Sequence, residues 1–282
     1  MTSLRDIKRR IANVSSTGQI IKAMDMVAST KLQRVRAQLE GVRPIYFELK
    51  RIVEGLAGEE EAAAHVFYRE RDVKNSLYII FTSDHGLSGS YNANILAAAL
   101  EHMEQGKNEK IIAVGYKGYE YLKKKGKNII RSVIDVADAH VYYGSESLAK
   151  LLVELYLSGE VEEVFIAYTH FETVLSYVPY VERILPVSAG VINKTAENGR
   201  KYEPDLHTYI DHLIPLYLHM NVFRAFSESH TSEQASRMVN MDAADKNARE
   251  IIEELTRMYN RKRQAGITQE LNEIVGSANF FE

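Results

Sequence analysis

A heptad pattern of apolar positions begins near the N-terminus. Alternate steps of four and three residues from Ile7 land on apolar side chains for about seven heptads, and only Gly18 and Asp25 break the rule. The positions are Ile7, Ile11, Val14, Gly18, Ile21, Asp25, Ala28, Leu32, Val35, Leu39, Val42, Tyr46, Leu49, Val53 and Leu56. A period of about 3.5 residues predicts a left-handed coiled coil, and Pro44 predicts a bend or a break in the helix.

A second long helical stretch ends the chain. Residues 216–282 contain no proline and only two glycines, Gly266 and Gly276. Apolar side chains recur there at helical spacing, at Met238, Met241, Ala244, Ala248, Ile251, Leu255, Met258, Leu271, Ile274, Val275 and Ala278. A helix of this length needs a partner of similar length, which only the N-terminal segment can supply. The sequence therefore predicts a two-helix coiled coil of the two ends, with two ordinary core helices of a bundle as the alternative.

The middle of the chain alternates short strands with helices. The predicted strands are Leu77–Phe81, Lys110–Val114, Asn128–Val133, Val164–Tyr168 and Tyr180–Leu185, and the helices are Asn92–Gln105, Tyr116–Lys125 and Ser145–Ser158. This order predicts a Rossmann-like α/β domain with a mostly parallel five-stranded sheet. The predicted division is a first coiled-coil helix at 1–57, a linker at 58–75, the α/β domain at 76–192, a linker at 193–207 and a second coiled-coil helix at 208–282.

Composition and charge narrow the function classes. The 282 residues are 45% apolar and 26% charged, which is typical of a globular protein. No apolar run approaches the length of a transmembrane helix, and neither a secretory signal nor an organelle transit peptide fits the N-terminus. The absence of cysteine excludes disulfides and thiolate metal sites. The net charge of −3 hides eight Lys or Arg within residues 1–36 against only Asp6 and Asp25, which favours an acidic partner.

The candidate chemistry is weak. The turn Gly86–Gly89 before a helix resembles a phosphate-binding loop in outline, yet it carries neither the P-loop nor the G-x-G-x-x-G spacing, so a tight turn with a helix cap is favoured. His207, His212 and His219 have the wrong spacing for an i, i+4 ligand pair, and the sequence predicts no metal, cofactor or catalytic residue. Two alternatives stay open: a nucleotide-binding α/β protein with helical extensions, and a coiled coil that binds nucleic acid through its basic residues.

Three groups of residues carry a resemblance to a known family. At the N-terminus they are Ile7–Ile11, Lys22–Met24, Met26–Ala28 and Lys31–Leu32, and in the centre they are Thr82–Asp84, Gly86–Leu87, Gly89 and Tyr91–Asn92. Near the C-terminus they are Arg237–Met238, Met241–Asp242, Tyr259–Arg261, Arg263–Ala265, Ile267–Glu270 and Glu273–Gly276. These runs, in this order, resemble the gamma subunit of F-type ATP synthase. The sequence departs from that family's pattern at Asp25, His85, Ser88, Ser90, Ser277, Phe280 and Phe281.

The resemblance implies a mechanical role. The two ends would form an antiparallel coiled coil that turns inside a head of three alpha and three beta subunits, with the α/β domain beside the epsilon subunit and the ring of c subunits. The chain would be a non-catalytic rotor shaft that couples ion flow to ATP synthesis or hydrolysis. It would lie peripherally on the cytoplasmic side of a bacterial inner membrane, with no nucleic acid as partner.

The resemblance also implies contact residues. Contacts with the alpha and beta head are expected at Lys22, Met24, Lys31, Arg34, Arg36, Arg237, Gln264, Thr268, Glu270 and Phe280. Contacts on the side of the ring and epsilon are expected at Tyr202, Glu203 and Asp205.

Overall fold

The computed structural model describes residues 3–137, 140–188 and 202–278. In chain order the elements are α1 (Leu4–Leu56), α2 (Glu60–Ala63), β1 (Ser76–Phe81), α3 (Tyr91–Met103), β2 (Lys110–Val114), α4 (Tyr116–Lys124), β3 (Ile129–Val133), α5 (Val141–Leu157), β4 (Glu163–Phe171), β5 (Tyr177–Leu185) and α6 (Leu206–Ala278). They form two compact units, one of residues 1–29 with 238–282 and one of residues 30–237. Among the described residues, no helix combines the length and the apolarity that crossing a bilayer requires.

The first unit is the predicted antiparallel coiled coil. In α1 the side chains of Ile7 and Ala28 are buried, and the heptad positions between them are half-buried while their neighbours are mostly exposed. A Cβ added at Gly18 would lie 3.8 Å from the Cβ of Ala248, so the two backbones approach each other closely at this glycine. The heptad pattern in the rest of α1 is also buried or half-buried, and α1 continues through Pro44 without a break.

In the part of α6 that lies beside α1, the seam differs from the prediction at two positions. Met241, Ala248 and Leu255 are buried as expected, but Ile251 and Met258 are each 45% exposed. Ile252 and Tyr259 take their places, because steps of four and three from Ala248 select these two residues. Apolarity alone could not distinguish Ile251 from its neighbour Ile252.

The far end of α6 extends past its partner. With Gly18 opposite Ala248 in an antiparallel pair, the N-terminus of α1 at Leu4 lies opposite about residue 262 of α6. Beyond that point Ile267, Leu271 and Ile274 are 48%, 57% and 64% exposed. These apolar side chains have no counterpart on α1 to cover them.

The second unit is built on the predicted five-stranded sheet. Its strand order is β3-β2-β1-β4-β5, and all neighbours are parallel except β4 and β5. Ile79 at the centre of β1 pairs with Ile112 of β2 and Ile166 of β4. A mostly parallel sheet must be covered on both faces, which explains why its central strands are apolar without alternation.

Two cores cover the two faces of the sheet. On one face, Ile79 and Ile166 pack in a cluster with Leu152 of α5 and with Ile214 and Leu218 of α6. On the other face, a second cluster joins Tyr78, Ile80 and Ile111 to Ile95 of α3 and Leu122 of α4. Residues 206–226 of α6 are apolar around most of the helix because they form the centre of the first core.

Small polar side chains continue the buried part of α6. Ser227, Ser229, Thr231, Ser232 and Ser236 are all buried. The Ser232 hydroxyl donates to the carbonyl of Thr169 in β4, and the Ser229 hydroxyl accepts from the N–H of the same residue. These short side chains let α6 approach the end of β4 closely. Pairing with β5 extends β4 to Phe171, three residues beyond the predicted end.

A buried carboxylate joins α1, β4 and α6. The side chain of Glu228 on α6 is 1% exposed and accepts two hydrogen bonds from Arg43 of α1, each of 2.8 Å. The Phe171 N–H donates a third bond of 2.8 Å, and Nδ1 of His170 lies 3.3 Å away. The charge of Glu228 is therefore fully engaged although water is excluded.

A buried guanidinium lies one turn earlier on α6. Arg224 stacks on the rings of Tyr46 and Tyr168, with its Cζ 4.1 Å and 4.5 Å from their centroids. It donates to the Tyr168 hydroxyl at 2.6 Å, to the Asn221 side chain at 2.9 Å and to the Glu182 carboxylate. From α6, Arg224 thus contacts α1, β4 and β5.

We expect Glu228→Ala to destabilise the second unit by about 3 kcal/mol, because Arg43 loses its carboxylate partner and the Phe171 N–H loses its acceptor. Urea unfolding of the full chain measures the loss. Glu146→Ala is the control, since Glu146 pairs with Lys150 on the exposed face of α5. Equal midpoints for the two variants would show that the Glu228 network is not needed to hold the helices.

Candidate functional site: the signature loop and the predicted partner contacts

The loop between β1 and α3 is held by its own side chains. The side chain of Asn92, in the first turn of α3, accepts from the Ser83 N–H at 2.9 Å and donates to the Ser83 hydroxyl at 2.7 Å. The Ser83 hydroxyl donates in turn to the His85 carbonyl at 2.7 Å. The residues between Thr82 and Asn92, which include the central motif and are called the signature loop below, therefore fix the shape of a turn. This agrees with the tight turn that the sequence favoured.

The same loop is docked on α6. The Ser236 hydroxyl donates to the Ser88 carbonyl at 2.7 Å, and Tyr177 of β5 donates to Ser236 at 3.0 Å. Arg237 donates to the Gly86 carbonyl at 3.3 Å and to the Glu233 carboxylate at 2.6 Å. Part of the loop backbone is thus engaged by α6.

Thr82 closes the end of β1 against α4. Its hydroxyl donates to the Val114 carbonyl at 2.9 Å and accepts from the Gly118 N–H at 2.9 Å. Gly115 has φ +92°, and a Cβ there would lie 2.2 Å from the carbonyl oxygen of Thr82. Only glycine permits this approach, which places the start of α4 directly beside the signature loop.

A crevice of about 290 Å³ lies at the carboxyl ends of β1, β2 and β3. In α/β folds of this kind, such a position commonly binds ligands. Asp84 in its wall accepts from the Tyr116 N–H at 2.8 Å, and Glu233 pairs with Arg237. The wall also contains Lys31, His85, Asp135 and His230.

The predicted head contacts are distributed over both units. In the coiled coil, Lys22 is exposed and Met24 half-buried, while Gln264, Thr268 and Glu270 are exposed on the part of α6 beyond the end of α1. Lys31, Arg34 and Arg36 are exposed on α1 within the second unit. Arg237 is only 8% exposed and is occupied by Glu233 and Gly86. Phe280 lies outside the described residues.

Asp25 occupies a seam position of the coiled coil. Ile21 before it and Ala28 after it keep the heptad register, so the acid does not shift the seam. The Asp25 side chain is half-buried, and its Oδ1 is buried without a hydrogen-bond partner within the described part of the chain.

The residues predicted for the ring side lie just before α6. Tyr202 is half-buried, and Glu203 and Asp205 are exposed. Asp205 caps the helix: Oδ1 accepts from the Thr208 N–H at 2.8 Å, and Oδ2 accepts from the Thr208 hydroxyl at 2.9 Å. These hydrogen bonds from Thr208 lower the pKa of Asp205. The sequence contains the signal for this cap, an aspartate just before a helix, but the predicted linker at 193–207 includes Asp205.

Sequence reasoning also missed a cluster of His65, His207 and Asp211. It found no carboxylate pattern that would complete a metal site around His207, His212 and His219, although His207 and Asp211 have the i, i+4 spacing of one helix face. Nothing in the sequence could have added His65, which lies in a turn that is far from α6 along the chain.

Comparisons with known proteins agree with this geometry. The family model described as ATP synthase matches residues 3–280. The chain is 38% identical to the ATP synthase gamma chain of Desulforamulus reducens, and the alignment covers 100% of both chains. It is also 38% identical to the gamma chain of Moorella thermoacetica, with 99% of both covered.

The chain belongs to the ATP synthase gamma-chain family. A solved structure with the same fold is the Euglena gracilis mitochondrial ATP synthase in rotational state 3, comprising OSCP, F1 and c-ring. The TM-score with one of its chains is 0.70 at 18% identity, and the match covers 98% of this chain and 93% of that one. The family resemblance inferred from the three motif groups is thereby confirmed, as are the long coiled coil and the mostly parallel sheet.

We expect Asp205→Ala to speed amide hydrogen exchange in the first turn of α6, because the Thr208 N–H loses its acceptor. Since the folded pKa of Asp205 is lowered, its contribution is present at neutral pH and is lost as the pH falls through that lowered pKa. Asp205→Asn should keep the cap but flatten this acid dependence. Glu203→Ala is the matched control, and equal exchange in Glu203→Ala and Asp205→Ala would contradict the capping role.

Proposed function

We propose that this chain is the central rotor shaft of a bacterial ATP synthase, which couples rotation of an ion-driven c-ring to conformational changes in the catalytic beta subunits. The observation that carries the proposal is the antiparallel coiled coil of the two chain ends, in a chain that matches gamma chains along its whole length. A two-helix supercoil suits a shaft because its two helices support each other against bending and twisting.

The exposed end of α6 supports a housing around the shaft. Ile267, Leu271 and Ile274 present apolar surface that α1 does not reach. Apolar side chains that line one end of a helix favour burial against another protein. We assign this end to the head of three alpha and three beta subunits, with Gln264, Thr268 and Glu270 as the polar contacts and Phe280 farther along the chain.

The basic residues of α1 support an adaptable contact with the same head. Lys22, Lys31, Arg34 and Arg36 are exposed cations near Met24 in the sequence. Ion pairs at exposed surfaces contribute only about 0–1 kcal/mol each, so they can form and break as the shaft turns. Arg237 would act indirectly, through the signature loop that it helps to hold.

We assign the α/β domain of the second unit to the side of the ring and the epsilon subunit, with contacts at Tyr202, Glu203 and Asp205. The chain would then lie peripherally on the cytoplasmic side of the membrane. Because Asp205 also caps α6, its replacement would disturb both the helix start and the contact.

The proposal assigns no catalytic residue to this chain. Both Asp84 and Glu233 in the crevice are engaged, by the Tyr116 N–H and by Arg237. A nucleotide bound beside Gly86–Gly89 would compete with the contacts from Ser236 and Arg237. These observations favour the shaft over the nucleotide-binding alternative.

Co-expression with the alpha and beta subunits of the same genome tests the proposal. We expect a particle of three alpha, three beta and one copy of this chain, with ATPase activity that depends on it. Native mass spectrometry and an ATPase assay measure both. A chain that elutes alone, folded and without effect on ATPase activity, would overturn the proposal. ATP retained by this lone chain in equilibrium dialysis would support the nucleotide alternative, and salt-dependent retention of DNA would support the nucleic-acid alternative.

Gln264→Leu combined with Thr268→Ala should weaken ATP-driven ion pumping several-fold while the second unit stays folded, because both side chains are exposed beyond the end of α1. Pumping in inverted vesicles is the measurement. Thr256→Ala is the matched control, since Thr256 is exposed and donates to the carbonyl four residues earlier, as Thr268 does. Unchanged pumping in the double variant would remove these two residues from the proposed contact.

A further inference from the structure

Three potential metal ligands meet beside the start of α6. Nε2 of His65 lies 3.2 Å from Oδ1 of Asp211, and Nδ1 of His207 lies 3.3 Å from Oδ2 of the same carboxylate. The rings of His65 and His207 are 4.4 Å apart between centroids. One ligand atom from each residue can be chosen so that all three atoms lie within 4.8 Å of one another.

The local fold explains why these side chains meet. His207 and Asp211 are four residues apart in the first turns of α6, so they project from one face of the helix. His65 lies in the turn after α2, where its N–H donates to the Ala62 carbonyl at 2.9 Å and its ring stacks on Phe67. The cluster therefore joins two segments that are separated by the whole sheet in the sequence.

His65 is an unusual member of this cluster. Its side chain is 1% exposed, and its buried Nε2 has no hydrogen-bond partner among the described residues, because the carboxylate of Asp211 is near but outside hydrogen-bonding geometry. A buried ring nitrogen without a hydrogen bond is costly. A ligand between the three side chains would satisfy it.

We propose that His65, His207 and Asp211 bind one divalent transition-metal ion of the zinc class. Two imidazoles and a carboxylate form a donor set that suits Zn²⁺, while Mg²⁺ and Ca²⁺ prefer oxygen ligands alone. Two ligand atoms that are each about 2.0–2.1 Å from zinc in tetrahedral geometry lie about 3.3 Å apart. Nε2 of His65 is at about this separation from Oδ1 of Asp211, and Nδ1 of His207 is at about this separation from Oδ2, so a tetrahedral ion would take one of the two oxygens after a small movement of the exposed side chains.

The exposure of the cluster fits a metal with one open position. His207 and Asp211 are 71% and 50% exposed, which leaves room for entry of the ion and for a bound water. The metal would fasten the turn at His65 to the first turns of α6.

One contact opposes the proposal. The Phe67 N–H lies 3.4 Å from Nδ1 of His65, so it favours a tautomer with the proton on Nε2. At that length the hydrogen bond is weak. When a metal binds at Nε2, the ring proton is on Nδ1. The hydrogen bond is then lost, and the Phe67 N–H no longer has Nδ1 as its acceptor.

The test uses the full-length chain without a histidine tag, since a tag would bind the same ions. Zn²⁺ binding is measured by isothermal titration calorimetry, and Co²⁺ is added separately to record the absorption bands that report its coordination geometry. We expect one ion per chain, displaced by neither Mg²⁺ nor Ca²⁺, and weaker binding at acidic pH as the imidazoles become protonated. The proposal does not depend on the proposed rotor function, because the readout is metal binding alone.

His207→Ala and Asp211→Asn are the test variants, because both side chains are exposed and their loss should leave the fold intact. Each should lower the affinity for Zn²⁺ at least roughly tenfold. His212→Ala is the matched control, an exposed histidine on the same helix and outside the cluster, and it should bind as the wild type does. The proposal is overturned if the wild-type chain binds no Zn²⁺, or if His212→Ala weakens binding as much as His207→Ala.

Discussion

The buried carboxylate of Glu228 constrains how the second unit can be assembled. Removing a charge from water costs several kcal/mol, and only well-formed charged hydrogen bonds offset that cost. Glu228 receives two such bonds from Arg43 and a third from the Phe171 N–H. Because these donors lie on α1 and β4, α6 can satisfy its carboxylate only at one register against both. Apolar packing alone would tolerate a slide by one helical turn more easily than this network does.

The buried positive charge of Arg224 is a second constraint on how α6 packs. Its guanidinium lies between the rings of Tyr46 and Tyr168 and reaches Glu182 on β5. Planar stacking and directed N–H bonds fix the orientation of the helix as well as its position along the sheet. The two networks occur one turn apart on α6, which is where the helix changes from large apolar residues to small polar ones.

The parts of the fold that repeat along the chain could be predicted from the sequence. Local periodicity predicts the heptad seam of α1 and the five strands. The alternation of strands with helices predicts that the sheet is mostly parallel. Arg43 and Glu228 are separated by 185 residues, and no local pattern connects them. The same holds for His65 and Asp211, so neither the buried network nor the histidine cluster was predictable. The error at Ile251 is of another kind, since two adjacent isoleucines satisfy the same pattern and only the partner helix chooses between them.

The second unit also shows how the chain itself can occupy part of the position where its topology offers a ligand site. The crevice at the ends of β1, β2 and β3 is where related architectures bind nucleotides. In this chain the neighbouring loop is fixed by Asn92 from within and by Ser236 and Arg237 from α6. Gly115 allows α4 to begin against Thr82, so the space that a phosphate would need beside the strand ends is reduced by protein backbone. Close packing of chain against chain is the role of Gly115, outside the loop, while a Cβ at Gly86 in the loop would meet nothing within 4 Å, so a Gly-rich turn before a helix does not by itself indicate a nucleotide site.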